Sequence, residues 1–294
     1  MNFEEQLSAK VQQVNDSLLS ALPSREVKPA RLHEAILHSS EAGGKRLRPV
    51  LLHAAHDLFP GSTDPMPAAI AIECIHTYSL IHDDLPAMDD SDTRRGQPAC
   101  HKAFDEATAI LAGDALQPMA FELLVSGYQN IPEVALDLVR MLAETAGSMQ
   151  LVGGQMQDLL SEGQEPSADN LKYIHQNKTA AMIRASLQMG FRLGEKGGDE
   201  DLITIMGEAG NSLGLAFQAV DDLLDVTQTS EELGKDAAHD AESGKVTWVG
   251  LLGEEKAREL ATTHTEDAIG KIEQVGGDNA FLLELVRRML ERTH

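Results

Sequence analysis

Apolar residues recur at helical spacing through most of the chain. The pattern predicts helices over 3–20, 31–39, 46–58, 66–84, 103–127, 131–152, 169–194, 199–226, 247–264 and 277–292. Short breakers divide them: PSREVKP at 23–29, FPGSTDPMP at 59–67, SGYQNIP at 126–132, EGQEPSADN at 162–170 and EKGGDE at 195–200. None has the length or composition of an interdomain linker. Strand-type alternation is scarce, while Ala, Leu, Met, Glu and Gln are abundant, so local preference agrees with helix. Residues 68–82 and 213–226 are apolar nearly all the way round, as in helices wrapped by others. One all-α domain spanning 1–294 is expected. The exception is 227–244, TQTSEELGKDAAHDAESG, which reads as a long polar loop, and such loops often serve as lids or binding loops.

Charge narrows the partners. The 47 acidic and 24 basic residues leave a net charge of −23, a field that repels nucleic acid and anionic lipid. It also disfavours phosphorylated ligands unless cations or a local basic cluster reverse the sign. Cys74 and Cys100 show no metal-ligand spacing. The start, MNFEEQLSAKVQQ, lacks the apolar core of a signal peptide. The longest apolar run, ATAILAGDALQPMAFELLV, is interrupted by Asp114 and Pro118, so no membrane insertion is expected. The reading is a soluble cytoplasmic protein.

Against that background, SLIHDDLPAMDDSDTRRG at 79–96 stands out, because a knot of acid follows an apolar helix. FQAVDDLLDV at 217–226 repeats the combination: Asp221 and Asp225 are four apart and share a helical face, with Asp222 beside them and Gln218 one turn earlier. Two unit charges about 4 Å apart repel by roughly 4 kcal/mol at an effective dielectric near 20. Burial adds its own penalty. Such clusters are tolerable when protonated, paired or metal-bound, and Arg94 and Arg95 could serve two of the charges. Carboxylates without His or Cys point to a hard cation, Mg²⁺ in particular. Pro86 ends or distorts the first helix, which leaves open which downstream aspartates join Asp83.

The basic residues are less distinctive alone. GGKRLRP at 43–49 places two glycines before a helix carrying Lys45, Arg46 and Arg48, the makings of an anion site or simply a solvated helix start. His76 lies two turns before Asp83, where a ligand-binding residue and a core histidine are both possible. Lys178 and Thr179 sit in an apolar helix, and Lys235 and Lys245 lie in or beside the long loop.

Together these motifs resemble the trans-prenyltransferases, the short-chain isoprenyl diphosphate synthases. DDLPAMD followed by RRG and a later DDLLD are similar to that family's two aspartate-rich motifs. GGKRLRP, GGQMQDL at 153–159, KT at 178–179, FQ at 217–218 and GKD at 234–236 follow in its order, so the likeness runs from about residue 40 to 250. It implies an all-α bundle of the isoprenoid-synthase type around a central cavity, usually a homodimer. It also implies a reaction: an allylic diphosphate ionises and isopentenyl diphosphate attacks head-to-tail. Three Mg²⁺ ions are expected, held by Asp83 and Asp89 and by Asp221, Asp222 and Asp225. Arg94, Lys178 and Lys235 would bind the allylic diphosphate; Lys45, Arg48, His76 and Arg95 would bind isopentenyl diphosphate. Thr179, Gln218 and the Lys178 carbonyl would face the allylic cation. KVTWV at 245–249 departs from the family's usual KTTYP or KSTYP, and is expected to pack against the loop before it.

Tyr78 lies five residues before Asp83, about 7.5 Å deeper along a helix. In the family an aromatic there goes with a fifteen-carbon product, so farnesyl diphosphate is expected, with geranylgeranyl or geranyl diphosphate as alternatives. A terpene cyclase would not need GGKRLRP, and a non-catalytic partner subunit would be expected to have lost aspartates.

Overall fold

The computed structural model describes residues 1–227 and 246–291, and those residues are overwhelmingly helical, with two strands of two residues each. They group into two compact units, one of Met1–Val50 with Pro65–Val139, the other of Leu51–Asp64 with Arg140–His294.

In the first unit, α1 (Phe3–Ala21) begins with a capping box. The Asn2 side chain accepts from the Glu5 N–H, and the Glu5 carboxylate accepts from the Asn2 N–H. After α2 (Ala30–Glu41), α3 (Leu47–His56) starts in this unit and ends in the other. The expected buried helix is α4 (Met66–Asp83), which is enclosed on nearly every side and packs against α1, α2 and α6. Strands β1 (Thr93–Arg94) and β2 (Gln97–Pro98) make a minimal hairpin, turned by Arg95 and Gly96 at positive φ as a two-residue loop requires. A short α5 (Cys100–Ala103) precedes α6 (Glu106–Gly127).

The helix predicted over 103–127 continues through Pro118 as expected. Pro118 lies on the exposed side of α6, where water can serve the carbonyl that its missing N–H abandons. By length and composition α6 is the one described helix able to cross a bilayer. Here it buries Ala109, Ala112, Gly113, Leu116, Ala120 and Leu124 and leaves Ile110, Leu111 and Val125 exposed.

The second unit is organised on α11 (Glu200–Thr227). The predicted helix 131–152 divides into α7 (Pro132–Ala146), which begins in the first unit, and α8 (Leu151–Ser161). The predicted 169–194 comprises α9 (Ala168–Ile174), a π-turn at His175–Ala180, and α10 (Ala181–Arg192). The predicted 247–264 divides at Gly253, whose φ of 85° suits glycine, into α12 (Trp248–Leu252) and a longer α13 (Glu254–Val275). α14 (Ala280–Glu291) closes the described chain. Helices α10, α12, α13 and α14 and the π-turn all pack on α11. Trp248 joins Leu171, Ala219, Val220, Leu223, Leu224, Ala257 and Ala261 in one buried cluster, with Val246 and Val249 against it.

Candidate active site

A glutamate in an apolar helix demands a partner, and Glu73 of α4 has one. Its carboxylate takes Arg46 Nη1 at 2.6 Å, with both side chains almost wholly buried. The same guanidinium donates through Nε to Asn15 Oδ1 at 2.7 Å and through Nη2 to the Ser40 carbonyl at 2.6 Å. Full satisfaction of this kind is what makes a buried ion pair tolerable. It also commits Arg46 to structure, and GGKRLRP is thereby pinned through its central residue. Lys45 on one side is exposed, and Arg48 on the other is half-buried with Nη1 3.2 Å from His76 Nε2. Burial, then the charges of Arg48, Arg95, Arg46 and Arg94, hold the His76 pKa well below its usual range. The ring is therefore neutral, and its Nε2 accepts a hydrogen bond from the Arg48 Nη1–H. Arg95 donates to the Gly43 carbonyl, and a Cβ on Gly44 (φ +118°) would collide with the Arg95 guanidinium, so Gly44 makes room for the arginine.

The first acidic stretch resolves differently from a helix. With α4 ending at Asp83, the chain folds back so that the Asp89 N–H donates to the Asp83 carbonyl at 2.8 Å. The Asp90 N–H bonds Leu85 and the Ser91 N–H bonds Asp84, with Asp90 at φ +46° and exposed. A residue six positions on is thus brought to Asp83, which helical spacing would forbid. Asp84 is buried and gripped by Arg94 Nε at 3.0 and 3.3 Å from its two oxygens, with Nη2 also on Oδ1. Burial raises the Asp84 carboxyl and Arg94 opposes the shift. Arg94, Arg95 and Asp84 line one cavity of this unit with Thr77 and His38. Tyr78 is 5% exposed and meets the His82 ring edge-on at 5.8 Å. Burial, then the Asp83 charge, pushes its hydroxyl up to about 12.

In the second unit the π-turn carries Lys178 and Thr179. Such widened turns are rare and occur often at functional sites. It is held between two glycines, since a Cβ on Gly154 of α8 would strike the Lys178 nitrogen and one on Gly214 of α11 would strike Ala180. Lys178 Nζ pairs with Asp158 Oδ2 at 2.7 Å, and the Thr179 hydroxyl donates to Gln218 Oε1 at 2.9 Å. On α11, Asp222 and Asp225 are buried while Asp221 is more open. Asp222 Oδ2 accepts the Trp248 N–H at 2.7 Å, and the Trp248 indole meets the His175 ring edge-on at 5.8 Å. Burial pushes the His175 pKa down to about 3; the Asp158 charge opposes that shift and Lys178 adds to it.

The first unit therefore holds Lys45, Arg48, His76, Tyr78, Asp83, Asp89, Arg94 and Arg95, and the second holds Lys178, Thr179, Gln218, Asp221, Asp222 and Asp225. Lys235, Lys245 and the GKD stretch lie outside the described residues. Val246, Trp248 and Val249 pack on the α11 and α13 cluster. Glu73, Asp158 and His175 were not singled out from sequence, although a lone acid in an apolar run and the Asp of GGQMQDL were both visible there. Among the described residues no three His, Cys, Asp or Glu side chains gather tightly enough to chelate an ion unaided. Pairs of carboxylate oxygens suit magnesium, which usually takes one or two carboxylates and completes its shell with water and substrate phosphate.

Residues 29–285 match the polyprenyl synthetase family, and the chain belongs to it. It is 42% identical to the farnesyl diphosphate synthase of Escherichia coli (strain K12) over 281 residues, covering 94% of this chain and 93% of that protein. It is 45% identical to a heterodimeric geranylgeranyl pyrophosphate synthase large subunit of Arabidopsis thaliana, covering 91% and 73%. An FPP/GFPP synthase structure from Zymomonas mobilis superposes with a TM-score of 0.85 at 35% identity, over 98% of this chain and 99% of that one. The Helicobacter pylori geranyltransferase complexed with magnesium and isoprenyl diphosphate gives 0.85 at 33%, over 99% and 97%.

Proposed function

We propose that the chain is a magnesium-dependent farnesyl diphosphate synthase, condensing isopentenyl diphosphate with dimethylallyl and then geranyl diphosphate. The observation that carries this reading is the pairing of all-oxygen aspartate sets with cations oriented by neutral or anionic neighbours. Arg48 is held on a neutral His76, Arg95 on the Gly43 carbonyl, and Lys178 on Asp158. Asp83 and Asp89 in the first unit, and Asp221, Asp222 and Asp225 in the second, hold the metal, taken to be three ions. When bound, magnesium neutralises the charge that grows on the departing diphosphate.

The chain's own residues divide the remaining work. Arg94, Lys178 and Lys235 bind the allylic diphosphate, Arg94 sharing its contact with Asp84. Lys45, Arg48, His76 and Arg95 bind isopentenyl diphosphate, whose double bond attacks the allylic carbon as its carbon–oxygen bond breaks. The Thr179 hydroxyl donates its hydrogen bond to Gln218 Oε1, so its oxygen offers lone pairs to the allylic cation. The released diphosphate takes the final proton, and no protein base is required.

Tyr78 supports the fifteen-carbon product, because a buried ring one and a half turns before Asp83 blocks further growth. Incubation with isopentenyl diphosphate and each of dimethylallyl, geranyl and farnesyl diphosphate, with products dephosphorylated and sized, tests the reading. Farnesol from the first two starters and little extension of the third is expected; geranylgeraniol as main product refutes the farnesyl reading. Tyr78→Ala is expected to lengthen the main product by at least one five-carbon unit.

The homodimer implied by the resemblance finds support in α6, where Ile110, Leu111 and Val125 lie exposed on one face, fourteen residues being close to four turns. Light scattering should give twice the chain mass for the unaltered protein and the single mass for a Leu111→Glu, Val125→Glu double variant.

A further inference from the structure

We propose that Trp248 is a positioning residue of the second aspartate set, a clasp that ties Asp222 to the π-turn bearing Lys178 and Thr179. The inference rests on the prenyltransferase reading above. Trp248 is the chain's single tryptophan, is 9% exposed, and stands at the first position of α12, after the N-cap Thr247. Two contacts leave it in different directions. Its backbone N–H holds Asp222 Oδ2 at 2.7 Å, and its indole holds His175, the first residue of the π-turn, edge-on.

Each contact constrains a different part of the site. Asp222 is 3% exposed, so its carboxylate has few other orientations once one oxygen is committed to a backbone donor. His175 is also almost wholly buried, and the indole edge packs against its ring. His175 precedes Lys178 by three residues, within the same turn. Trp248 belongs to the buried cluster that also holds Leu223 and Leu224 of α11 and Ala257 and Ala261 of α13. One residue therefore registers the carboxylate face of α11 against the cation of the π-turn.

The test is a series at one position: Trp248→Phe, Trp248→Ala and Trp248→Pro. Proline is well tolerated at a first helical position, so it removes the N–H while sparing α12. Each variant is checked for folding by circular dichroism, then titrated with magnesium and inorganic diphosphate by calorimetry. Phe keeps the donor and an aromatic edge and is expected to bind as the unaltered protein does. Ala keeps only the donor and should bind about threefold more weakly, the scale of one aromatic pair. Pro loses both and should bind about tenfold more weakly or worse, the scale of a hydrogen bond to a charged group. In turnover, kcat and the KM for the allylic substrate should change along the series while the KM for isopentenyl diphosphate stays constant. Ala and Pro variants that bind magnesium and diphosphate normally would reduce Trp248 to core filling and overturn the proposal. Should the proline variant not fold, the Ala-to-Phe difference decides alone. An unaltered protein that binds no magnesium-diphosphate refutes the prenyltransferase reading itself, a result distinct from a flat series.

Discussion

Asp83→Asn and Asp89→Asn are each expected to lower kcat on the order of a hundred- to a thousandfold, the range for loss of one preorganised electrostatic contact. Asp90→Asn should leave the rate nearly unchanged. The distinction follows from the turn after α4, where the Asp89 N–H lies on the Asp83 carbonyl while Asp90 is exposed with its N–H on Leu85. Steady-state rates of the three variants at saturating magnesium make the comparison. A large rate loss at Asp90 with none at Asp89 would contradict the assignment.

Glu73→Ala is expected to act on folding instead, lowering stability by about 3–5 kcal/mol because it leaves the Arg46 guanidinium buried without its counter-charge. Adding Arg46→Met should recover much of that loss, since a buried pair replaced by apolar side chains of similar volume is often neutral. Equilibrium urea unfolding of both variants gives the comparison. Because Arg46 pins the segment carrying Lys45 and Arg48, the folded fraction of Glu73→Ala should also show a raised KM for isopentenyl diphosphate. A Glu73→Ala protein as stable as its parent would mean that the Arg46–Glu73 pair is not what holds this segment.

Helices were legible because their signal is local. The apolar surround of α4 and α11 marked both as central, and both aspartate sets were conspicuous against it. What escaped the sequence depends on contacts between distant residues. The break at Phe104–Asp105 is one such detail, since the predicted helix 103–127 runs on through Pro118 but starts only at Glu106, behind the short α5. The π-turn cannot be read from HQNKTA, because its place is set by the backbones of α8 and α11 approaching at Gly154 and Gly214. The partner of Asp83 was open because helical spacing favours Asp90, whereas the chain after Pro86 is a turn that returns Asp89. Asp158 was part of a quoted motif but acquired a role only when Lys178 was found on it. Glu73 could have been found, since a carboxylate inside AIAIECIHTYSLI must be neutralised by something. Arg46, its partner in the middle of GGKRLRP, is the one cation of that motif not assigned to substrate.

The most direct measurement follows inorganic diphosphate release and prenyl product together, from isopentenyl and geranyl diphosphates, first in chelator and then with magnesium restored. One diphosphate released per farnesyl diphosphate formed, only when magnesium is present, is the expected result. Condensation that proceeds equally well in chelator, or no condensation with any allylic starter in magnesium, would contradict the account.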